Sequence, residues 1–162
     1  MAAVSTLSVN PVSGFSTNRM QWIHIEGSPK FDYPIDYWVA VLGAHPEKGS
    51  IDFLSKWAPN SYCHFHRHLG DTTSLVLEGE QHIVETTPTQ TIHKIRRPGH
   101  YARTSDSDAH MEYAGPEGAV VFFSVQVADE RLFEVLDKDQ NVLAVATIEN
   151  FLSGKFGSRP RS

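Results

Sequence analysis

The chain has very little cysteine, no long apolar run and no excess of positive charge. Cys63 is the single cysteine among 162 residues, so no disulfide can form within the chain. No apolar run approaches the ~20 residues of a membrane-spanning helix, and the first residues lack the pattern of a secretory signal. The net charge is −5, without a basic stripe for nucleic acid. We therefore expect a cytoplasmic protein that binds neither nucleic acid nor a membrane.

Helical patterns are scarce as well, and most segments favour β-strands. β-Branched and aromatic residues recur in short runs that are separated by turn residues. The predicted strand segments are 37–43, 50–59, 61–68, 72–87 (two strands hinged at 78–80), 91–104 (two strands broken at 98–99), 118–127 and 131–147 (a hairpin with its turn at 137–141). About ten short strands at roughly 8–12-residue spacing indicate a β-sandwich or barrel. A short helix follows, with Thr147 as its N-cap and Gly154 as its C-cap.

The chain is long enough for one domain with its own core. Of its residues, 40% are hydrophobic and 20% are charged, and no internal linker or repeat divides them. We predict a flexible N-terminal arm at 1–20, a single domain at 21–156 and a disordered tail at 157–162. The arm has an alternative role as an edge strand that is added to a partner subunit.

Three histidines alternate along one predicted strand, at His64, His66 and His68. Alternate side chains of a strand share a face, so we expect Tyr62 beside the histidines and Cys63 pointing away as a packing residue. Two imidazoles at this spacing can bind one ion at about 2.0–2.1 Å each. A solvent-facing run of polar histidines is the alternative, and the alternation alone favours neither.

The wider pattern resembles the cupin superfamily. Its first motif matches "HRHLGDTTSLVLEG", in which Gly79 follows His68 by eleven places, and its second matches "GHYARTSDSDAH", from Gly99 to His110. Within the superfamily the chain is most similar to small single-domain cupins of the 2,4′-dihydroxyacetophenone dioxygenase type, with the acetylacetone-cleaving dioxygenase more distant. The resemblance implies an all-β fold: a single cupin barrel (a double-stranded β-helix, or jelly roll) with a short C-terminal helix.

The resemblance also implies a metal centre. Its ligands would be His66, His68 and His110, and its ion Fe(II), with Zn, Mn and Ni as alternatives. Many cupins carry a glutamate ligand where this chain has Thr72, so the implied set is all-histidine with a position left open. The segment 105–109 lacks the proline and glycine that usually precede the third histidine, which makes an aspartate of this loop an alternative ligand.

The implied activity is that of a non-haem Fe(II)-dependent dioxygenase. It would cleave a carbon–carbon bond of a small enolisable diketone or hydroxyketone, with dioxygen as the second substrate. We expect orientation and acid–base help from Glu112, Arg103, Tyr101 and Gln126, and an outer-shell or pocket-wall role for His64. Gln126 is expected on a polar strand face along the pocket floor. A surface or packing role is the alternative for each of these residues.

Two other functions remain open at this point. One is an oxygen-independent isomerase, lyase or cyclase, in which the cation acts as a Lewis acid. The other is a non-catalytic zinc-binding cupin whose four-ligand shell is completed by His64 or Asp71. The resemblance further implies a homodimer.

Overall fold

The computed structural model describes residues 20–105 and 108–156, and it shows one curled antiparallel sheet with a short C-terminal helix. The elements are β1 (Ile23–Glu26), β2 (Asp36–His45), β3 (Ser50–Trp57), β4 (His66–His68), β5 (Asp71–Thr86), β6 (Thr91–Arg96), β7 (Tyr101–Thr104), β8 (His110–Gln126), β9 (Arg131–Leu136), β10 (Val142–Thr147) and α1 (Ile148–Ser153). The predicted all-β class is confirmed. Of the predicted arm and tail, residues 1–19 and 157–162 lie outside the described residues.

Strand β8 is central to the sheet because strands on both sides of it form hydrogen-bonded pairs with it. It is 17 residues long, and it pairs with β3, with β4 and, along nearly its whole length, with β5. The main path runs β1-β2-β3-β8-β4-β9-β10, while β6 and β7 both pair with β5. The short strand β4, which carries two of the histidines, is held between β8 and β9.

Strand β5 is continuous, which corrects the predicted hinge at 78–80. Its pairing with β8 continues across this region through two register shifts, one on each side of Glu78 and Gly79. Such bulges bend a strand without ending it. Gly79 has a φ of +71°, and a Cβ atom there would lie 2.0 Å from the carbonyl oxygen of Gly118. The glycine of the first motif is therefore required by the close approach of two backbones.

The core fills the inside of the curl. Its buried side chains come from the inner faces of the strands and from α1, and they include Val39, Ile51, Phe53, Trp57, Val121, Phe123, Val125, Leu132, Ile148 and Phe151. Helix α1 begins as predicted, since the Thr147 side chain accepts a hydrogen bond from the backbone N–H of Asn150. Gly154 follows the helix with a φ of +69°. Within the described ranges, no helix is long and apolar enough to cross a membrane.

Candidate metal centre

Strands β4 and β8 bring four side chains with metal-binding atoms together on the inner face of the sheet. His66 pairs directly with His110 across the two strands. Residues two apart on a strand share a face, so His68 joins His66 on β4, and Glu112 joins His110 on β8. All four are buried, and their donor atoms lie within 4.8 Å of one another. We call these four residues the donor cluster.

The ligand atoms of the donor cluster face one another at short range. His66 Nε2 lies 3.0 Å from His68 Nε2, and His110 Nε2 lies 3.2 Å from Glu112 Oε1. Four donors about 2.0–2.2 Å from one tetrahedral ion are spaced by about 3.3–3.6 Å. Small side-chain movements are therefore enough for the cluster to hold a metal ion.

Two of the histidines are oriented by backbone carbonyl groups. His66 Nδ1 donates to the carbonyl oxygen of His64 at 2.7 Å, and His110 Nδ1 donates to that of Asp108 at 2.9 Å. A carbonyl oxygen only accepts, so Nδ1 of each ring carries a proton and Nε2 faces the centre, where it offers a lone pair when the ring is neutral. This is the arrangement that metal-binding histidines adopt.

The third histidine, His68, is oriented by Thr72. The distance from His68 Nδ1 to Thr72 Oγ1 is 2.9 Å, and the same hydroxyl donates its proton to the carbonyl oxygen of Gly70 at 3.2 Å. The hydroxyl has one proton to give, so it accepts the proton of His68 Nδ1. His68 thus also directs its Nε2 lone pair to the centre.

Burial and mutual contact determine the protonation of the cluster. Burial, with the neighbouring His110, lowers the pKa of His66 to about 4, and burial with His66 lowers the pKa of His68 well below its ordinary value. Burial alone would raise the pKa of Glu112, but its hydrogen bond with His110 and the nearby imidazoles outweigh burial and lower this pKa to about 2. Burial alone would lower the pKa of His110, but its hydrogen bond with Glu112 outweighs burial and raises this pKa. His66 and His68 are thus neutral and Glu112 is ionised, as metal binding requires, and a bound metal ion would replace the proton that His110 Nε2 shares with Glu112.

The chemistry of this donor set fits a divalent first-row metal ion. Three inward-facing imidazoles and one carboxylate converge in a buried space, where a cation satisfies all four groups together. Fe(II), Zn, Mn and Ni all accept nitrogen and oxygen ligands of this kind. This chain therefore has a buried His-His-His-Glu cluster that can hold a metal ion.

His66, His68 and Glu112 of the donor cluster form part of the wall of a largely apolar cavity. The aromatic residues of the lining are Tyr37, Phe53, Trp57, Phe123, Phe133 and Phe151. The indole nitrogen of Trp57 is buried and makes no hydrogen bond of good geometry within the described part of the chain. The nearby sulfur of Cys63 is only a weak acceptor for it. Trp57 itself lines the cavity.

An extra residue before β4 changes which side chains face the cavity. Tyr62 pairs with Tyr113, and His66 pairs with His110, so four steps on one strand match three on the other. A shift of one residue inverts the alternation of faces. The expectations that Tyr62 shares the histidine face and that Cys63 points away are therefore wrong. Tyr62 stacks on Tyr113, whereas Cys63 lines the cavity with its Sγ 3.7 Å from His66 Nδ1.

His64 lies on the cavity wall and is not one of the four donors. Its Nδ1 is 3.2 Å from the hydroxyl oxygen of Tyr37, and its ring meets Phe31 edge-on at 4.9 Å. Burial lowers the pKa of His64 to about 4. The residue therefore stands where the sequence placed it as a pocket wall, and its backbone carbonyl orients His66.

The structure does not bring Arg103, Tyr101 and Gln126 to the cavity. Arg103 and Tyr101 are exposed on β7, and the Arg103 guanidinium lies 3.8 Å from the carboxylate of Asp71. Asp71 is thereby also placed outside the cluster. Gln126 is exposed and donates to a backbone carbonyl group. Its strand face points outward because Phe123, of opposite parity on β8, lines the cavity.

The carboxylate of Glu112 is the donor that sequence reasoning missed. The sequence predicted an acid–base role for Glu112 and an open coordination position at Thr72. The structure instead places Glu112 among the donors, while the Thr72 hydroxyl group hydrogen-bonds to His68 Nδ1, which faces away from the centre. The available signal was the two-residue spacing of His110 and Glu112, which repeats the spacing of the β4 histidines.

Solved structures with the same fold include several cupins. An acetylacetone dioxygenase from Acinetobacter johnsonii has a TM-score of 0.65 at 14% identity, over 82% of this chain and 84% of that chain. An RmlC-like cupin from Ralstonia eutropha has a TM-score of 0.62 at 20% identity, over 84% of this chain and 82% of that chain. A cupin 2 conserved barrel domain protein from Rhodopseudomonas palustris has a TM-score of 0.60 at 14% identity, over 75% and 81%. At these identities the similarity concerns the fold.

The sequence itself matches one family model, described as the ChrR cupin-like domain, over residues 15–128. Among curated proteins, no sequence matches this chain. The family match covers most of the strands and all four residues of the donor cluster. The curled antiparallel sheet, its buried histidines and this match show together that the chain belongs to the ChrR cupin-like family of the cupin superfamily.

Proposed function

We propose that this protein is a non-haem Fe(II)-dependent dioxygenase that cleaves a carbon–carbon bond of a small enolisable diketone or hydroxyketone. The observation that carries the proposal is the donor cluster, three of whose side chains line a largely apolar cavity with aromatic walls. The similarity in fold to an acetylacetone dioxygenase supports the same reaction class. An enzyme of this class needs a metal centre that an organic substrate can reach, and the cavity provides the access.

In this proposal His66, His68, His110 and Glu112 hold the ion. Fe(II) bound there supplies a site at which dioxygen and the substrate can react together. Three neutral imidazoles and one carboxylate leave the centre with a net positive charge. That charge favours a substrate that is bound as its enolate, which is the reason for proposing an enolisable ketone.

The cavity selects the substrate by shape and by a small number of polar groups. Its aromatic walls exclude water and favour a flat, largely apolar molecule. The indole N–H of Trp57 is a buried donor without a good acceptor, and such groups cost about 1–3 kcal/mol when they remain unsatisfied. We assign Trp57 to a carbonyl oxygen of the substrate. The hydroxyl groups of Tyr37 and Ser55 also line the cavity.

Oxygen uptake by the Fe(II)-loaded protein tests the proposal. A panel of β-diketones and α-hydroxyketones is supplied, and we expect uptake that depends on substrate and stops in His110→Ala. The Trp57→Phe variant keeps the aromatic wall but removes the N–H group, so we expect it to bind iron normally and to raise KM. Full iron binding without oxygen uptake on any substrate of the panel would rule out the dioxygenase.

The donor cluster also supports a second candidate, a non-catalytic metal-binding cupin. Structural zinc sites are closed by four protein ligands, and Glu112 supplies the fourth donor that the sequence had assigned to His64 or Asp71. Co(II) substitution tests this alternative, since a closed tetrahedral shell has a different absorption spectrum from an open one. A tetrahedral spectrum that no ketone alters, together with no oxygen uptake, would favour the binding module.

Turnover with Zn(II) or Ni(II) under strict anaerobiosis would instead identify an oxygen-independent isomerase, lyase or cyclase. This experiment separates Lewis-acid chemistry from oxygen chemistry at the same cluster. The homodimer and the cytoplasmic location stay predictions of the sequence analysis.

A further inference from the structure

A second group of metal-binding side chains lies on the face of the sheet opposite to the donor cluster. His82 on β5 pairs with Tyr113 on β8, whereas the adjacent Ile83 pairs with Glu112. Adjacent residues of a strand point to opposite faces, so His82 and Tyr113 share the outer face. His93 on β6 belongs to the same face, one diagonal step from His82. With Glu80, these residues form what we call the outer histidine cluster.

Three potential ligand atoms of this cluster meet at one point. His93 Nε2 lies 2.9 Å from His82 Nδ1 and 3.1 Å from the hydroxyl oxygen of Tyr113. The Tyr113 ring stacks on His82 with 4.6 Å between their centroids, and Tyr62 stacks on the opposite side of Tyr113 at 4.7 Å. Stacking limits the movement of the His82 and Tyr113 rings, so two of the three ligand atoms are already positioned.

Glu80 determines which nitrogen of His82 carries the proton. The distance from His82 Nε2 to Glu80 Oε1 is 3.0 Å, and the other carboxylate oxygen of Glu80 lies 3.3 Å from the guanidinium of Arg97. An ionised carboxylate only accepts, so a neutral His82 is protonated on Nε2 and has its lone pair on Nδ1. A carboxylate that orients a histidine in this way is a regular feature of metal sites.

Gly115 provides the space for this carboxylate. A Cβ atom at Gly115 would lie 2.7 Å from Glu80 Oε1 and 2.9 Å from Glu80 Cβ. Any larger residue would therefore displace Glu80 from His82. The packing also shields the His82 side chain, which is 12% exposed, while His93 stays open to solvent. One ligand is thus held rigidly and the other is accessible.

We propose that His82 Nδ1, His93 Nε2 and the Tyr113 hydroxyl form a second, outer site for a divalent metal ion, with Glu80 positioning His82. Two nitrogens about 2.0–2.1 Å from a tetrahedral ion lie about 3.3 Å apart, so the observed pair has to open only slightly. His93 offers its lone pair when its proton moves from Nε2 to Nδ1, which leaves its charge unchanged. Imidazole ligands suit Zn(II), Ni(II) and Cu(II). The site is independent of the proposed dioxygenase function.

Calorimetric titration of the metal-free full chain with Zn(II) tests this site. Wild type is expected to bind two ions per chain, a tight one at the donor cluster and a weaker one at the outer histidine cluster. The His93→Gln variant should lose the weaker ion and keep the tight one. The Glu80→Gln variant should keep both ions but bind the weaker one about 10–100-fold less tightly, as is typical when an outer-shell carboxylate is removed.

Two further variants distinguish the possible failures. His100→Gln removes an exposed histidine from the turn before β7, and it should bind both ions as wild type does. His66→Gln should lose the tight ion alone. A single ion in wild type, a second ion that survives in His93→Gln, or a second ion that is lost in His100→Gln would each overturn the proposal.

Discussion

Replacing Thr72 by valine measures what an outer partner contributes to the metal centre. Valine has nearly the shape of threonine but lacks the hydroxyl group that accepts the proton of His68 Nδ1 at 2.9 Å. Both residues are buried, so water does not readily replace the lost acceptor. The change therefore removes the orientation of one ligand while the packing around it stays intact.

The expected effect follows from that hydrogen bond. Removing the partner of a buried polar group costs about 1–3 kcal/mol. At 1.4 kcal/mol for each factor of ten, this corresponds to about 5–150-fold in affinity. The metal-free protein avoids part of this cost because His68 can change tautomer, but the metal-bound state requires its Nε2 lone pair. We therefore expect Thr72→Val to bind metal about 10–100-fold more weakly, as other losses of outer partners do.

Competition against a chromogenic chelator gives the affinity directly. Less than one equivalent of Zn(II) is used, so that only the tightest site fills. Thr72→Ser is the matched control, since it restores the hydroxyl group and should bind close to wild type. Equal affinity of Thr72→Val and wild type would refute the role of Thr72. A loss in Thr72→Ser as large as in Thr72→Val would show that packing of the methyl group matters, and not the hydrogen bond.

Other predictions concern the fold and the buried thiol. Gly79→Ala should lower Tm by about 6–12 °C, because a left-handed residue costs about 1–2 kcal/mol and the backbone clash adds to it. Gly99→Ala, with a φ of +89° and open space around its Cβ position, should lower Tm by about 2–8 °C and by less than Gly79→Ala; equal losses would contradict the clash. Thr147→Ala removes the cap of α1 and should cost about 1 kcal/mol in the free energy of unfolding, measured by urea denaturation, whereas Thr147→Ser should cost little. Burial raises the pKa of Cys63 well above its ordinary value, so iodoacetamide should label it only in denaturant; rapid labelling of the native protein would disagree.

The resemblance to cupins indicated three of the four residues that the structure brings together in the donor cluster. In that resemblance, the interval from His68 to Gly79 singled out His66 and His68, and the structure places Gly79 between two register shifts, where the backbones of β5 and β8 lie close together. The interval from Gly99 to His110 indicated His110 through the same resemblance. Local capping chemistry likewise predicted α1, since Thr147 and Gly154 act through neighbours in sequence.

Alternation failed as a guide wherever a strand carries a bulge. The faces of Tyr62 and Cys63 were predicted by continuing the pattern of β4 backwards, but the register with β8 shifts by one residue there. The predicted hinge in β5 failed for the same reason, since glycine in a bulge and glycine in a break look alike in sequence. Gln126 was assigned to the pocket because its polarity suggested a lining, whereas the inner face of that strand carries Phe123.

The sequence by itself determined the β-class, the positions of most strands and the capped helix, because each depends on residues that are close together in the chain; the three histidines were indicated by the resemblance to cupins. Tertiary structure alone decided that Glu112 completes the donor cluster, that Thr72 orients His68 and that His82 meets His93 on the outer face. These contacts depend on the register between strands that are distant in sequence. That register is set by bulges and by the packing of the whole sheet, for which no short stretch of sequence carries a signal.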